Sequence, residues 1–313
     1  MLHLRVICPP ELTEHVLALL KDARGATHLT LHRGAALVPA GDVVEADVAR
    51  ECTNSLLDAL GDLGVEREGG VTLEAIDTTL SVAARRAQEA APGEADDAVI
   101  WEELVARTGE ESRLTWTFAA FLVLAVLIAA VGVVTDSPVT VVGAMAVGPE
   151  FGPLAAIAVN LVRRRPELVG RAAVAVGVGF PLAMVATLLG ALLAEAAGLV
   201  TAQSLEGADK VDFIYQVGPF SFVVALLAGT AGMLSLVSSK SAALVGVFIS
   251  VTTVPAAGYA VVAATLGRWD RAGESALQLL VNLVGITVAA TAVLAVLHRH
   301  RARARDRSPA EVD

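Results

Sequence analysis

The sequence predicts an α-helical multi-pass membrane domain of about six transmembrane helices, some of them broken, preceded by a small α+β ferredoxin-like cytosolic domain. Three observations carry that expectation. Of 313 residues, 55% are hydrophobic and only 18% are charged, a composition that leans towards lipid. The charges are also unevenly placed: residues 1–114 hold 10 Lys+Arg and 21 Asp+Glu, a net of −11, and residues 115–313 hold 13 and 12, a net of +1. Finally, the first part reads as short alternating and periodic segments, whereas the second carries uncharged runs long enough to cross a bilayer.

In the first part, "LHLRVICP" (2–9) alternates as a strand and "ELTEHVLALLKDA" (11–23) places apolar residues at helical spacing. "THLTLHRGAAL" (27–37) and "DVVEADVA" (42–49) return to strand patterns. "ECTNSLLDALGDLG" (51–64) is a second helix and "GVTLEAIDT" (70–78) a last strand. The order β-α-β-β-α-β is that of the split-βαβ, ferredoxin-like sandwich, and residues 1–80 suffice for one small core. Residues 81–114 follow as a connector over 81–97 and an amphipathic helix over 98–116, with Trp116 placed as an interfacial aromatic.

Six apolar runs make up a membrane domain over 115–298: 115–134, 138–162, 172–194, 217–237, 241–267 and 276–297. The first, "TWTFAAFLVLAVLIAAVGVV", has twenty uncharged residues, which at about 1.5 Å each cover a hydrocarbon core of about 30 Å. A soluble bundle would need a wetted face on each helix, and these runs have none. Basic residues cluster in "RRRPELVGR" (163–171), at Lys240 and in "HRHRARARDR" (298–307), which places both ends in the cytoplasm, although Arg268 and Arg271 oppose the scheme. No cleaved signal peptide is expected, and residues 299–313 read as a basic, disordered tail. Cys8 and Cys52, both in the cytosolic domain, are expected to be reduced thiols.

The second run contains "VGPEFGP". Pro149, Glu150, Gly152 and Pro153 fall near its centre, where a carboxyl is expensive and normally faces a partner or a polar cavity. Pro153 lacks the amide that would bond the carbonyl of Pro149, and each proline restricts the residue before it. Two outcomes stay open: two half-helices meeting at a polar centre, or a simple kink with Glu150 bonded to a neighbour. The fifth run offers a counterpart, since "VVGAMAVGPE" (141–150) resembles "LVGVFISVTTVP" (244–255), which ends on Pro255. Related halves of three spans each would be inverted in the membrane. Against this, the proline offsets differ, and the "VNLV" at 159–162 and 281–284 fits no common register.

Other embedded polar residues are Ser250, Thr252, Thr253, Asn160 and Asn282. Hydroxyls of this kind most often bond their own helix. Asn282, deeper in its span than Asn160, is the stronger candidate. No His/Cys/Asp group has metal-site spacing and no nucleotide fingerprint occurs, so neither metal nor cofactor is expected, and no catalytic residue is assigned. The basic tail suits topology or anionic lipid rather than nucleic acid. The expected partners are the lipid bilayer, further copies of the chain through an open sheet edge, and a small-molecule or ion ligand.

The stretches "DSPVTVVGAMAVGPEFGPLAAIAVNLVRRR" and "SSKSAALVGVFISVTTVPAAGYAVVAATLGRWDRAGESALQLLVNLVGI" resemble the bacterial and archaeal membrane family known as domain of unknown function 389, over roughly residues 115–298. The resemblance implies a multi-pass inner-membrane protein and brings no established substrate. Pro149, Gly152 and Pro153 match the family's conspicuous stretch, while Glu150 departs from it. The function expected is a transporter or channel-like protein for an unknown small solute or ion, regulated by its cytosolic domain. The alternative is a non-transporting scaffold or sensor; an enzyme is not expected.

Overall fold

Alternating apolar residues at the start of the chain become one face of a four-stranded sheet. The computed structural model describes residues 1–91, 100–201, 218–238 and 253–307. The chain divides into two units, Met1–Glu102 and Glu103–Asp313. The first contains β1 (Leu2–Cys8), α1 (Pro10–Asp22), β2 (Ala26–Leu37), β3 (Ala40–Val48), α2 (Arg50–Asp62), the short α3 (Val65–Glu68), β4 (Gly70–Ala75) and α4 (Val82–Ala90). The strands lie in the order β2-β3-β1-β4, each neighbouring pair antiparallel. Since β3 separates β1 from β2, those two run parallel without pairing, and the sheet is open at β2 and β4.

The period of two sends Leu2, Leu4, Val6 and Cys8 of β1, with Val44, Ala46 and Val48 of β3, to the same side. There they pack on Val16, Leu17 and Leu20 of α1 and on Leu56 and Leu60 of α2. Each such aliphatic side chain contributes about 1.5–3 kcal/mol on full burial. The region read as a connector over 81–97 contains α4, because the Ser81 hydroxyl accepts the Ala84 amide at 3.2 Å and caps it.

The second unit is helical. α5 (Trp101–Glu111) crosses into it, shorter than the 98–116 expected. The next helix starts separately after it, capped by the Thr115 hydroxyl, which accepts the Phe118 amide at 3.1 Å. That helix is α6 (Trp116–Val134), followed by α7 (Pro138–Val147), α8 (Phe151–Val162), α9 (Pro166–Ala196), α10 (Pro219–Val237), α11 (Val254–Thr265) and α12 (Trp269–Arg307). α9 continues through Pro181 as one helix of 31 residues.

Among the described residues, four helices are long and apolar enough to cross a membrane, and α7 with α8, bent by 51°, makes a fifth if counted as one span. The expected six are therefore seen as four to five. The fifth run of the sequence is represented by α11, whose 12 residues rise only about 18 Å, while 241–252 lie outside the described residues. Exposed apolar side chains along these helices, among them Val131, Val185, Leu193 and Leu227, are those a hydrocarbon solvent accepts. The buried centre joins α6, α8, α9, α10, α11 and α12 through Leu122, Leu154, Phe180, Ala225, Ala257 and Ile286.

Candidate functional site

The break in the second apolar run starts at Gly148, which leaves α7 in an extended conformation at φ −64° and ψ 126°. Pro149 is the cause, because its ring disfavours the helical region for the residue before it. Pro153 has a smaller part than its sequence position suggests. It lies in the first turn of α8, where amides have no intrahelical acceptor and a missing N–H costs little. Between the two prolines Glu150 becomes the N-cap of α8 and is wholly buried. Gly152 and Pro153, also buried, follow it into the helix.

Thr253 occupies the same place at the head of α11, with Pro255 in the first turn, where its fixed φ suits a helix start. Thr253 is also fully buried, and its hydroxyl donates to Oε1 of Glu150 at 2.6 Å. Two helix starts therefore meet through the side chains of their N-cap residues, which bond each other rather than cap their own helices. The N-terminal ends of both helices lie at this one contact.

α12 supplies the polar groups at the same depth. The buried Ser275 hydroxyl donates to the Ala256 carbonyl at 2.8 Å, tying α12 to the antiparallel α11. Three residues back along α11 is Thr253, and three forward along α12 is Gln278, so the two lie level. Gln278 Nε2 donates to Asn282 Oδ1 at 3.3 Å, one turn further on, and both side chains are buried. Asn160 does not join this group: it lies about 15 Å along α8 from Glu150. Its Nδ2 donates to the Ala156 carbonyl at 2.8 Å, as a structural amide does. Thr252 and Ser250 lie outside the described residues. The sequence reading passed over Ser275 and Gln278, although 275, 278 and 282 fall on one helical face and form a polar stripe on an apolar helix.

A cavity of about 360 Å³ opens beside the break. Gly148, Pro149 and Gly152 line it together with Thr117 of α6, Ser235 of α10 and Arg107 of α5. A second, apolar cavity of about 340 Å³ lies at the other end of α6, between Val134, Leu199 and Thr265. Among the described residues no group of three or more His, Cys, Asp or Glu is placed to hold a metal.

These features define a membrane-embedded, multi-helix protein with an interrupted helix at its polar centre and a mixed α+β unit at its N-terminal end. Residues 145–288, from α7 to the middle of α12, match the family model described as "Domain of unknown function (DUF389)". This segment, which holds Glu150, Thr253, Gln278 and Asn282, is a DUF389 domain. No curated protein and no solved structure matches the chain.

Proposed function

We propose that the protein is a transporter or channel-like protein for a small solute or ion, with its translocation point at the Glu150–Thr253 contact. The observation that supports this reading is that two helix starts meet inside an apolar bundle through a carboxyl and a hydroxyl at 2.6 Å. Interrupted helices at mid-membrane offer backbone and side-chain groups to a solute without exposing them to lipid. Carboxyl and hydroxyl oxygens suit a proton, a hard cation or a solute rich in hydrogen-bond donors. In this reading the chain crosses a bacterial inner membrane six times with both termini cytoplasmic. Its ferredoxin-like N-terminal unit regulates passage, pairs with further copies at an open sheet edge, and catalyses no reaction.

Purified protein in liposomes, loaded against gradients of protons, Na⁺, K⁺, Mg²⁺ and a panel of small organic solutes, tests the proposal. Flux of at least one species that Glu150→Gln reduces at least tenfold is the expected result. Folded protein that moves nothing on the panel and copurifies with a membrane partner would instead favour a scaffold or sensor.

A further inference from the structure

We infer that the membrane unit is a duplicated three-helix unit whose two copies meet on a pseudo-two-fold axis between Glu150 and Thr253, and that they exchange conformations to open the site alternately to either side. The inference deepens the transport reading and rests on its six spans for the direction of the axis.

The duplication is visible in backbone detail at a constant offset of 103 positions, the separation of Glu150 and Thr253. α6 runs Trp116–Val134 and α10 runs Pro219–Val237; α8 begins after Glu150 and α11 after Thr253; α9 starts at Pro166 and α12 at Trp269. Every one of these boundaries is displaced by that same offset. The turns agree as well. Arg163 bonds to Val159, Arg164 to Leu161 and Arg165 to Asn160 after α8; Leu266 bonds to Val262, Gly267 to Ala264 and Arg268 to Ala263 after α11. Arg164 and Gly267, equivalent residues, both take positive φ, at 56° and 73°. A left-handed arginine at the place where the other copy has glycine shows that the turn, not the residue, is common to both.

A contact between equivalent residues lies on the axis that relates them. Glu150 and Thr253 are equivalent and bonded, so the axis passes through the candidate site. The packing is reciprocal in the same sense: α8 of the first copy packs on α12 of the second, and α11 of the second packs on α9 of the first. If each copy crosses the membrane three times, the second enters from the opposite face, and the axis lies in the membrane plane.

One pair of equivalent interfaces breaks the symmetry. α6 packs along α11 so closely that a Cβ on Gly258 would lie 3.0 Å from both Ala129 Cβ and the Ala130 nitrogen. The counterparts of Ala129 and Gly258 are Gly232 and Ala155. Among the described residues, α10 does not pack along α8 in this way. Instead Gly232, Ser235 and Leu236 line the cavity of about 360 Å³ across from Gly148 and Gly152. One interface is shut while its twin is open, and exchanging the two conformations moves the opening across the axis, to the opposite face of the membrane.

The test uses the full-length protein in liposomes with Cys8→Ser and Cys52→Ser. Oxidation of Ala155→Cys with Gly232→Cys should yield a disulfide in most of the protein, because the alternate state brings these positions as close as Ala129 and Gly258 are now. Spin-label pairs at the exposed positions Thr117 with Leu234, and Phe220 with Val131, are equivalent to each other. Each pair should show two distances, the same two for both, with complementary populations. Forming the disulfide should collapse each pair onto one of them. A cysteine pair that stays reduced through prolonged oxidation, with a single distance for each label pair, overturns the exchange even if flux is measured. Exchange without flux of any solute sustains this inference and strikes the transport reading instead.

Discussion

The hydroxyl of Thr253 donates to Oε1 of Glu150 at 2.6 Å, joining two helix starts 103 positions apart in sequence. Both side chains are fully buried, so removing either half of the bond leaves a polar group without the water that would replace it. Thr253→Val should lower stability by about 1–3 kcal/mol, read as a fall in the thermal midpoint in detergent. Glu150→Gln keeps an acceptor oxygen and should fold nearly as well while losing flux. A Thr253→Val protein as stable as the parent would mean that the contact does not organise the site.

The prolines of the break should prove unequal. Pro153→Ala restores an amide in the first turn of α8, where it has no helical acceptor, and should shift stability by no more than about 0.5 kcal/mol. Gly148→Ala with Pro149→Ala removes the restriction that ends α7 and should favour a continuous helix through Glu150. Amide exchange at residues 148–151 should slow in that double variant and flux should disappear. Equal effects from Pro153→Ala would place the cause of the break in the wrong proline.

The N-terminal unit should lose stability in acid. Asp42 is held below the ordinary carboxylate range by the Gly34 amide at 2.7 Å and the Thr13 hydroxyl at 2.8 Å. Burial acts to raise Asp47, but the imidazoles of His28 at 2.7 Å and His3 at 2.9 Å outweigh it and bring it down. A carboxyl depressed in the folded state contributes stability above its unfolded value of about 3.9, and that contribution is lost as pH falls through the folded value. A fragment of residues 1–102 should therefore melt at a constant temperature around neutrality and at falling temperatures below about pH 4. Asp42→Asn should flatten that fall, and an unchanged acid profile would refute the assignment.

Both cysteines should react slowly. Burial raises the thiol of Cys8 and that of Cys52, and the thiolate is the reactive form. Disulfide-exchange reagents at neutral pH should label native protein many times more slowly than unfolded protein. Rapid labelling of Cys8, which is wholly buried, would show that the unit opens readily.

Topology supplies a last measurement. Single thiols at Thr78→Cys and Arg303→Cys, in a background without native cysteines, should be labelled by a membrane-impermeant reagent from the same face. Labelling from opposite faces would remove one crossing from the six-span proposal and with it the inverted relation of the two copies.

Much of the fold was legible because its signals are local. The strands and helices of the N-terminal unit follow periods of two and 3.6, and Val16, Leu20 and Leu56 are buried as those periods require. A disturbance near Glu150 was also legible from its two prolines, but whether it was a break or a kink, and that Pro149 rather than Pro153 causes it, was not. α4 went unseen because its signal is one capping hydroxyl, Ser81, in an Ala- and charge-rich stretch.

By itself the sequence determined that a membrane-embedded helical part follows an acidic α+β part, and that the second apolar run is disturbed between Pro149 and Pro153, because composition, periodicity and proline geometry operate within a few residues; that it breaks at Gly148–Pro149 was decided by the structure. Only the tertiary structure decided that Glu150 bonds Thr253, that Gln278 lies level with them, and that the two halves share one register. Helices such as α6 and α11, apolar on nearly every side, carry no stripe to point at a partner, so their pairing is set by close packing at small residues such as Gly258 and Ala129. The duplication was hidden for a related reason. Lipid and packing accept almost any apolar side chain at a given depth, so the copies kept their turns and helix lengths while Glu150 came to face Thr253.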